Sequence, residues 1–320
     1  DMLTLHSQVP LRGEGQTTVG NFCVDEGEQV TLVLTHSSST AAAPDEVHAL
    51  EALHQTERHW REWSNRCTYS GPYRDAVLRS LITLKALIYE PTGAIVAAPT
   101  TSLPERIGGN RNWDYRYCWL RDATFTLLAL MDAGYFEEAR AWRDWLLRAL
   151  AGSPQQAQIL YGVGGERRLS EWEVDWLPGF EQSRPVRVGN AAYLQRQLDI
   201  FGEVADAFHH ARAGMLAPSE AGWSVQCALT RHVEAIWQEP DEGIWEVRGP
   251  RQHFTYSKVM AWVTFDRAIK AIEQFGLPGA IDEWRAIRAR IHADVCQHGF
   301  APQGNRFRAA YGDTTLGASL

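Results

Sequence analysis

Lysine is almost absent: of the 31 basic residues only Lys85, Lys258 and Lys270 are not arginine. The arginines are interspersed with 39 acidic residues, for a net charge of −8. With no basic stripe and no polybasic helix, the chain is not read as binding nucleic acid or a membrane surface. It lacks a signal peptide and any apolar run near the roughly 18 residues that a spanning helix needs. Cysteine is scarce and scattered. Cys23, Cys67, Cys118, Cys227 and Cys296 are odd in number, far apart and without C-x-x-C spacing. That pattern excludes a disulfide framework and a zinc cluster, and reads as reduced thiols of a cytoplasmic protein. The sequence has no H-E-x-x-H, Walker loop, G-x-S-x-G or aspartate-rich metal motif. Gly162, Gly164 and Gly165 lack the strand–turn–helix setting of a dinucleotide site. Nothing calls for a cofactor or a metal.

What is present is aromatic and polar at once. From Trp113 to Asp122 four rings (Trp113, Tyr115, Tyr117, Trp119) interleave with Arg116, Arg121, Asp114 and Asp122. A sugar offers apolar C–H faces that stack on rings and a rim of hydroxyls suited to charged partners. The alternative is a packed loop in which the rings are core and Arg121 simply pairs with Asp122. The run ends a Gly/Pro-rich loop and opens an apolar helix, a position where a scaffold holds loop residues against a ligand. Further along, Glu246 directly follows Trp245. An apolar wall disfavours the charged carboxylate and keeps a glutamic acid protonated, as an acid catalyst must be. The alternative for Glu246 is an ion pair with Arg248 or Arg251.

The opening residues alternate like antiparallel strands, at Leu3–His6, Thr18–Val24 and Gln29–Leu34. Three strands alone do not make a stable domain, and the first residue is Asp, so a missing upstream part is expected. A small-residue linker follows, then a helical pattern with Val47, Leu50, Leu53, Trp60 and Trp63 on one face and Glu46 facing solvent. Periodicity and glycine stops predict helices over Arg74–Glu90, Arg121–Ala133, Phe136–Leu150, Arg187–Ala213, Pro218–Gln238, Thr255–Phe275 and Ile281–Cys296. Their connections alternate between short, near Gly134, Gly214 and Gly276, and long, over 91–120, 151–186, 239–254 and 297–314. In an array of helical hairpins the long loops gather at one end, which would be the working face.

The stretch Tyr89 to Glu105, Gly108-Gly109 and Trp113 to Asp122 closely resembles glycoside hydrolase family 15, the glucoamylase and bacterial trehalase family. So do Gly179-Phe180-Glu181, Pro185 to Asn190, Trp245 to Gly249 and Phe254 to Ser257. The resemblance implies a mainly α fold, part of an (α/α)6 toroid. Residues 1–40 would be the last strands of an N-terminal antiparallel β-sandwich domain, 41–70 a linker with a helix, and 71–320 an incomplete catalytic domain. It further implies that Trp119, Arg121 and Asp122 bind the terminal glucose and that Glu246 is the general acid, with Trp113 and Trp245 completing the sugar site. Family members invert the anomeric carbon, so a second carboxylate must act as base. That base is expected beyond residue 320, which makes the chain a fragment, inactive on its own; should it lie within the chain, Glu171, Glu173 and Asp175 are the candidates. The expected substrate is an α-glucoside or trehalose, cleaved from its end, and no oligomeric state is assigned. Two other readings stand beside this one: a glycoside phosphorylase on a related toroid, and a non-catalytic carbohydrate-binding remnant.

Overall fold

Turn residues decide where the short strands begin and end. In the computed structural model, which describes residues 2–42, 45, 47–151, 156–214, 216 and 219–319, the chain divides into two units, Asp1–Arg66 and Cys67–Leu320. In the first unit β1 (Met2–Ser7) is followed by a hairpin of β2 (Arg12–Glu14) and β3 (Thr17–Val19), and β1 pairs antiparallel with β4 (Leu32–Ser37). Gly15, at φ 63°, supplies the positive φ that the two-residue hairpin loop requires. The expected strand over Thr18–Val24 stops at Val19, because Gly20 and Asn21 break it, and the next begins at Leu32 and runs on to Ser37. Helix α1 (Ala49–Asn65) buries Trp63, whereas Leu50 and Leu53 of the expected apolar face are exposed. Glu46 lies outside the described residues.

The second unit is helical: α2 (Arg74–Ala86), α3 (Leu120–Asp132), α4 (Phe136–Ala149), α5 (Asp199–Ala213), α6 (Glu220–Ile236), α7 (Thr255–Phe275) and α8 (Ile281–Asp294). Alternate helices form two layers. α5 packs against both α3 and α7 in an inner row, and α4, α6 and α8 lie outside them. The core between the layers holds Leu127, Trp142, Trp145, Val233, Phe265 and Ile269. Full burial of side chains of this kind contributes roughly 1.5–3 kcal/mol each. Gly202 sets the spacing of the inner row: a Cβ there would lie 2.3 Å from the Met260 carbonyl oxygen on α7.

Two expected helix boundaries move. The helix predicted to run to Glu90 ends at Ala86, and Ile88–Tyr89 pairs with Ala94–Ile95 around the Pro91-Thr92-Gly93 turn. The helix predicted from Arg187 begins only at Asp199. Arg187–Val188 is instead a strand paired with Trp172–Glu173, and Asn190 caps a single turn over Ala191–Leu194 by accepting from the Ala192 amide. Gly189 forces the break: at φ 83° a Cβ would sit 1.9 Å from the Ser170 carbonyl oxygen. Helix α6 is capped by Ser219, whose Oγ accepts from the Gly222 amide; Pro218 lies outside the described residues.

The long loops meet one another. Cys118–Trp119 of the first pairs with Leu160–Tyr161 of the second. Arg248 of the third forks onto Glu171 of the second. Phe254, at the end of the third, bridges to Ala310 in the fourth. Among the described residues no helix is long and apolar enough to cross a membrane.

Candidate active site

Trp119 is the last residue before α3, fixed by its strand pairing and by the Leu120 amide donating to the Ile159 carbonyl at 3.0 Å. Its ring is buried beside Tyr115 and Tyr117. Arg121 and Asp122 follow in the first helical turn. The third loop approaches from the other side. Its ends are pinned because Asp241 and Gln252 exchange backbone hydrogen bonds at 3.0 and 2.9 Å. Within it Glu246 adopts φ 52°, a left-handed conformation that costs a non-glycine residue about 1–2 kcal/mol. Strain of this kind persists only where the surroundings fix it. Here the Glu246 amide donates to Gly243 O at 3.1 Å and Gln195 Nε2 donates to the Glu246 carbonyl at 3.3 Å. The result aims the carboxylate at Trp119, whose indole Nε1 donates to Glu246 Oε1 at 2.6 Å.

Trp113, Trp119, Arg121, Asp122, Trp245 and Glu246 thus all line one cavity of about 1000 Å³, although the first and last are far apart in sequence. Arg121, 15% exposed, sits among three carboxylates: Asp122 at 3.5 Å, Asp199 at 3.5 Å and Glu246 at 3.8 Å. Burial pushes the Glu246 carboxyl above the usual range; the Trp119 hydrogen bond and Arg121 oppose that rise, and Asp122 adds to it. The net shift runs in the direction that a proton donor needs.

The alternatives raised by the sequence resolve one by one. Arg121 does pair with Asp122, but on the wall of the cavity rather than in a packed loop. Arg248 and Arg251 do not pair with Glu246; they bind Glu171 and Glu242, each at 2.8 Å. Trp113 lies under two guanidiniums, Arg187 at 4.5 Å and Arg248 at 4.2 Å from the ring centre, so part of its face is already stacked. Trp245 is 64% exposed and free to meet a ligand. Glu171 and Glu173 are tied to arginines, Glu171 to Arg248 and Glu173 to Arg187 at 3.2 Å.

Other residues here went unread in the sequence. Glu105, Arg111 and Asn190 line the cavity, and Asp199, Gln197 and Glu203 lie behind Arg121. Asp199 and Glu203 carry a signal: two carboxylates one helical turn apart in an otherwise apolar segment, which a solvent-facing stripe does not explain.

An alternating two-layer helical array with a cavity of indoles, carboxylates and arginines at its loop end defines a glycosidase-type toroid. Residues 71–320 match the family model for glycosyl hydrolases family 15, and the chain belongs to that family. A trehalase of Mycobacterium tuberculosis is 42% identical over 328 residues, covering 99% of this chain and 47% of that protein. A trehalase of Thermoplasma acidophilum is 40% identical over 278 residues, covering 87% of this chain and 47% of that protein. The chain therefore spans about half the length of the curated relatives it matches. A glycosidase variant solved in complex with glucose superposes with a TM-score of 0.57 at 17% identity, over 87% of this chain and 65% of that one, a likeness of fold.

Proposed function

We propose that the protein acts as an exo-acting, inverting α-glucosidase that releases glucose from trehalose or an α-glucan, with Glu246 as general acid. The observation that carries this reading is the Trp119–Glu246 hydrogen bond of 2.6 Å inside a cavity that also presents Arg121 and Asp122. A protonated Glu246 gives its proton to the glycosidic oxygen as the bond to the anomeric carbon breaks. Arg121 and Asp122 hold the hydroxyls of the terminal glucose, and Trp113, Trp119 and Trp245 bound its ring. Identity of about two-fifths to trehalases favours trehalose over glucans. The general base is assigned to sequence following residue 320, a choice supported by the arginine pairing of Glu171 and Glu173. Residues 1–40 are assigned to a β-sandwich domain, 41–70 to a linking helix and 71–320 to the catalytic domain.

The test is hydrolysis by the full-length protein, with the fresh product read by NMR before mutarotation. β-Glucose released from trehalose or from maltitol, whose only glucose is the terminal one, at a rate independent of phosphate, supports the proposal. α-Glucose only, or a phosphate requirement with glucose phosphate as product, overturns it. Sugar binding without turnover by the full-length protein overturns it equally.

A further inference from the structure

Arg121 is held at both ends of its guanidinium. Nη2 faces the cavity, 3.5 Å from Asp122 and 3.8 Å from Glu246. Nη1 faces the interior, donating to Gln197 Oε1 and to the Ile244 carbonyl, both at 3.3 Å, and lying 3.5 Å from Asp199 Oδ2. Asp199 opens α5 fully buried, and the charged group facing it is the Arg121 guanidinium at 3.5 Å. Glu203 lies one turn on, on the same face. Its Oε1 accepts from the Tyr256 hydroxyl of α7 at 2.7 Å. Its Oε2 is 3.4 Å from Thr124 Oγ1, whose hydroxyl donates to the Arg121 carbonyl at 2.8 Å.

Packing alone gives no reason for this arrangement. Two buried carboxylates on successive turns repel one another and lose their hydration, and an apolar pair would fill the same space at less cost. Arg121 and Tyr256 are the main groups that compensate their burial. We propose that Asp199 and Glu203 are positioning residues for the sugar-facing edge of Arg121. Asp199 draws the Nη1 end inward, so that Nη2 stands between Asp122 and Glu246, and Glu203 locks this turn of α5 against α3 and α7. The inference rests on the glycosidase reading of the cavity.

The charged and titratable groups around this point are Arg121 and Asp122 from α3, Asp199, Glu203 and Asp206 from α5, Tyr256 from α7, and Asp241, Glu246 and Arg248 from the third loop. Burial pushes the Asp199 carboxyl up to about 6, so above that pH it is ionised, and removing its charge there frees Arg121 to move toward the Glu246 carboxylate. That favours the ionised form, so the acid loses its proton at lower pH.

The experiment compares D199N and E203Q with wild type in the full-length protein, measuring kcat, KM and the pH profile of kcat/KM on trehalose. In D199N, KM is expected to rise about tenfold, more than kcat falls, as a charge-assisted contact to Arg121 is lost. The alkaline limb of the profile is expected to move down by about half a pH unit or more. E203Q should move both in the same direction and by less. D266N is the control: Asp266 is a buried carboxylate of α7 paired with Arg267, Lys270 and Arg288, away from the cavity. It should lower Tm without moving the limb. A D199N protein that melts lower but keeps the wild-type KM and limb overturns the proposal. If D199N does not fold, an E203Q enzyme with unmoved KM and limb overturns it. The E246Q variant separates the two readings. If E246Q stays active the acid assignment fails, whereas loss in E246Q with no effect of D199N or E203Q removes only the positioning role.

Discussion

Glu171 and Glu246 both stand on the loops around the cavity beside an indole: Glu171 precedes Trp172, and Glu246 follows Trp245. Their surroundings part them. Glu171 takes both arms of the Arg248 guanidinium, at 2.8 and 3.2 Å, and accepts from the Ala191 amide at 3.0 Å. Burial raises its carboxyl, but the Arg248 and Ala191 hydrogen bonds and the charge of Arg187 outweigh burial and hold it below the usual range. Glu246 accepts from one neutral indole, has Arg121 only at 3.8 Å, and is raised by the same burial. One is a clamp that fixes a wall, and the other is the proton donor of the proposed reaction. The lesson is that an indole neighbour alone assigns no role; the number of fixed donors on the carboxylate does.

The comparison is broken most directly by amide substitution at the two positions. E246Q keeps shape but removes the proton, and turnover in the full-length protein should fall by about 100-fold or more. If E171Q falls as far while E246Q does not, the roles are reversed. Next in size is D122A, which removes a hydroxyl partner: kcat/KM should drop by about 10- to 100-fold, with both KM and kcat affected. A change in KM alone would show that Asp122 binds the ground state and the transition state equally. E171Q itself should act through the wall, lowering turnover by about tenfold at most and stability by about 1–2 kcal/mol, seen in thermal melts.

The smallest effect sharpens the contrast through pH. A carboxyl raised in the folded state, such as Glu203 at about 7 against its usual 4.5, contributes stability that is present below 4.5 and lost as pH rises through 7. A carboxyl lowered in the folded state, such as Glu171, contributes stability present above its usual pKa and lost as pH falls. E203Q should therefore flatten the fall in Tm on the neutral side, and E171Q the fall on the acid side. Melts from pH 4 to 8 that show the same slope change in both variants would contradict the assignment.

Much of this was legible in the sequence because it depends on local chemistry. Periodicity and glycine stops locate the second-unit helices to within a turn at most ends, and the long loops that carry Trp113–Asp122 and Trp245-Glu246 do converge. The misses have non-local causes. Arg187–Val188 forms a strand only because Trp172–Glu173, in an earlier part of the loop, lies alongside it. The apolar face of α1 cannot be scored from periodicity, since Leu50 and Leu53 repeat like core residues yet stay exposed. Asp199 and Glu203 escape notice because their meaning depends on an arginine on another helix. The stacking of Arg187 and Arg248 on Trp113 likewise joins parts of three loops that no spacing rule relates.

The pinned third loop has a thermodynamic consequence. Its ends are tied by the Asp241–Gln252 backbone pair, and Asp241 Oδ2 also accepts from the Leu198 amide at 2.9 Å. The order needed to present Glu246 is thus already imposed when the chain folds, and a sugar entering the cavity has no loop to freeze. Association should carry little conformational entropy penalty from this segment, in contrast to sites that assemble around their ligand. Hydrogen exchange at the bonded amides of Asp241, Glu242, Glu246 and Gln252 should accordingly be slow in the free protein and nearly unchanged when the cavity is filled.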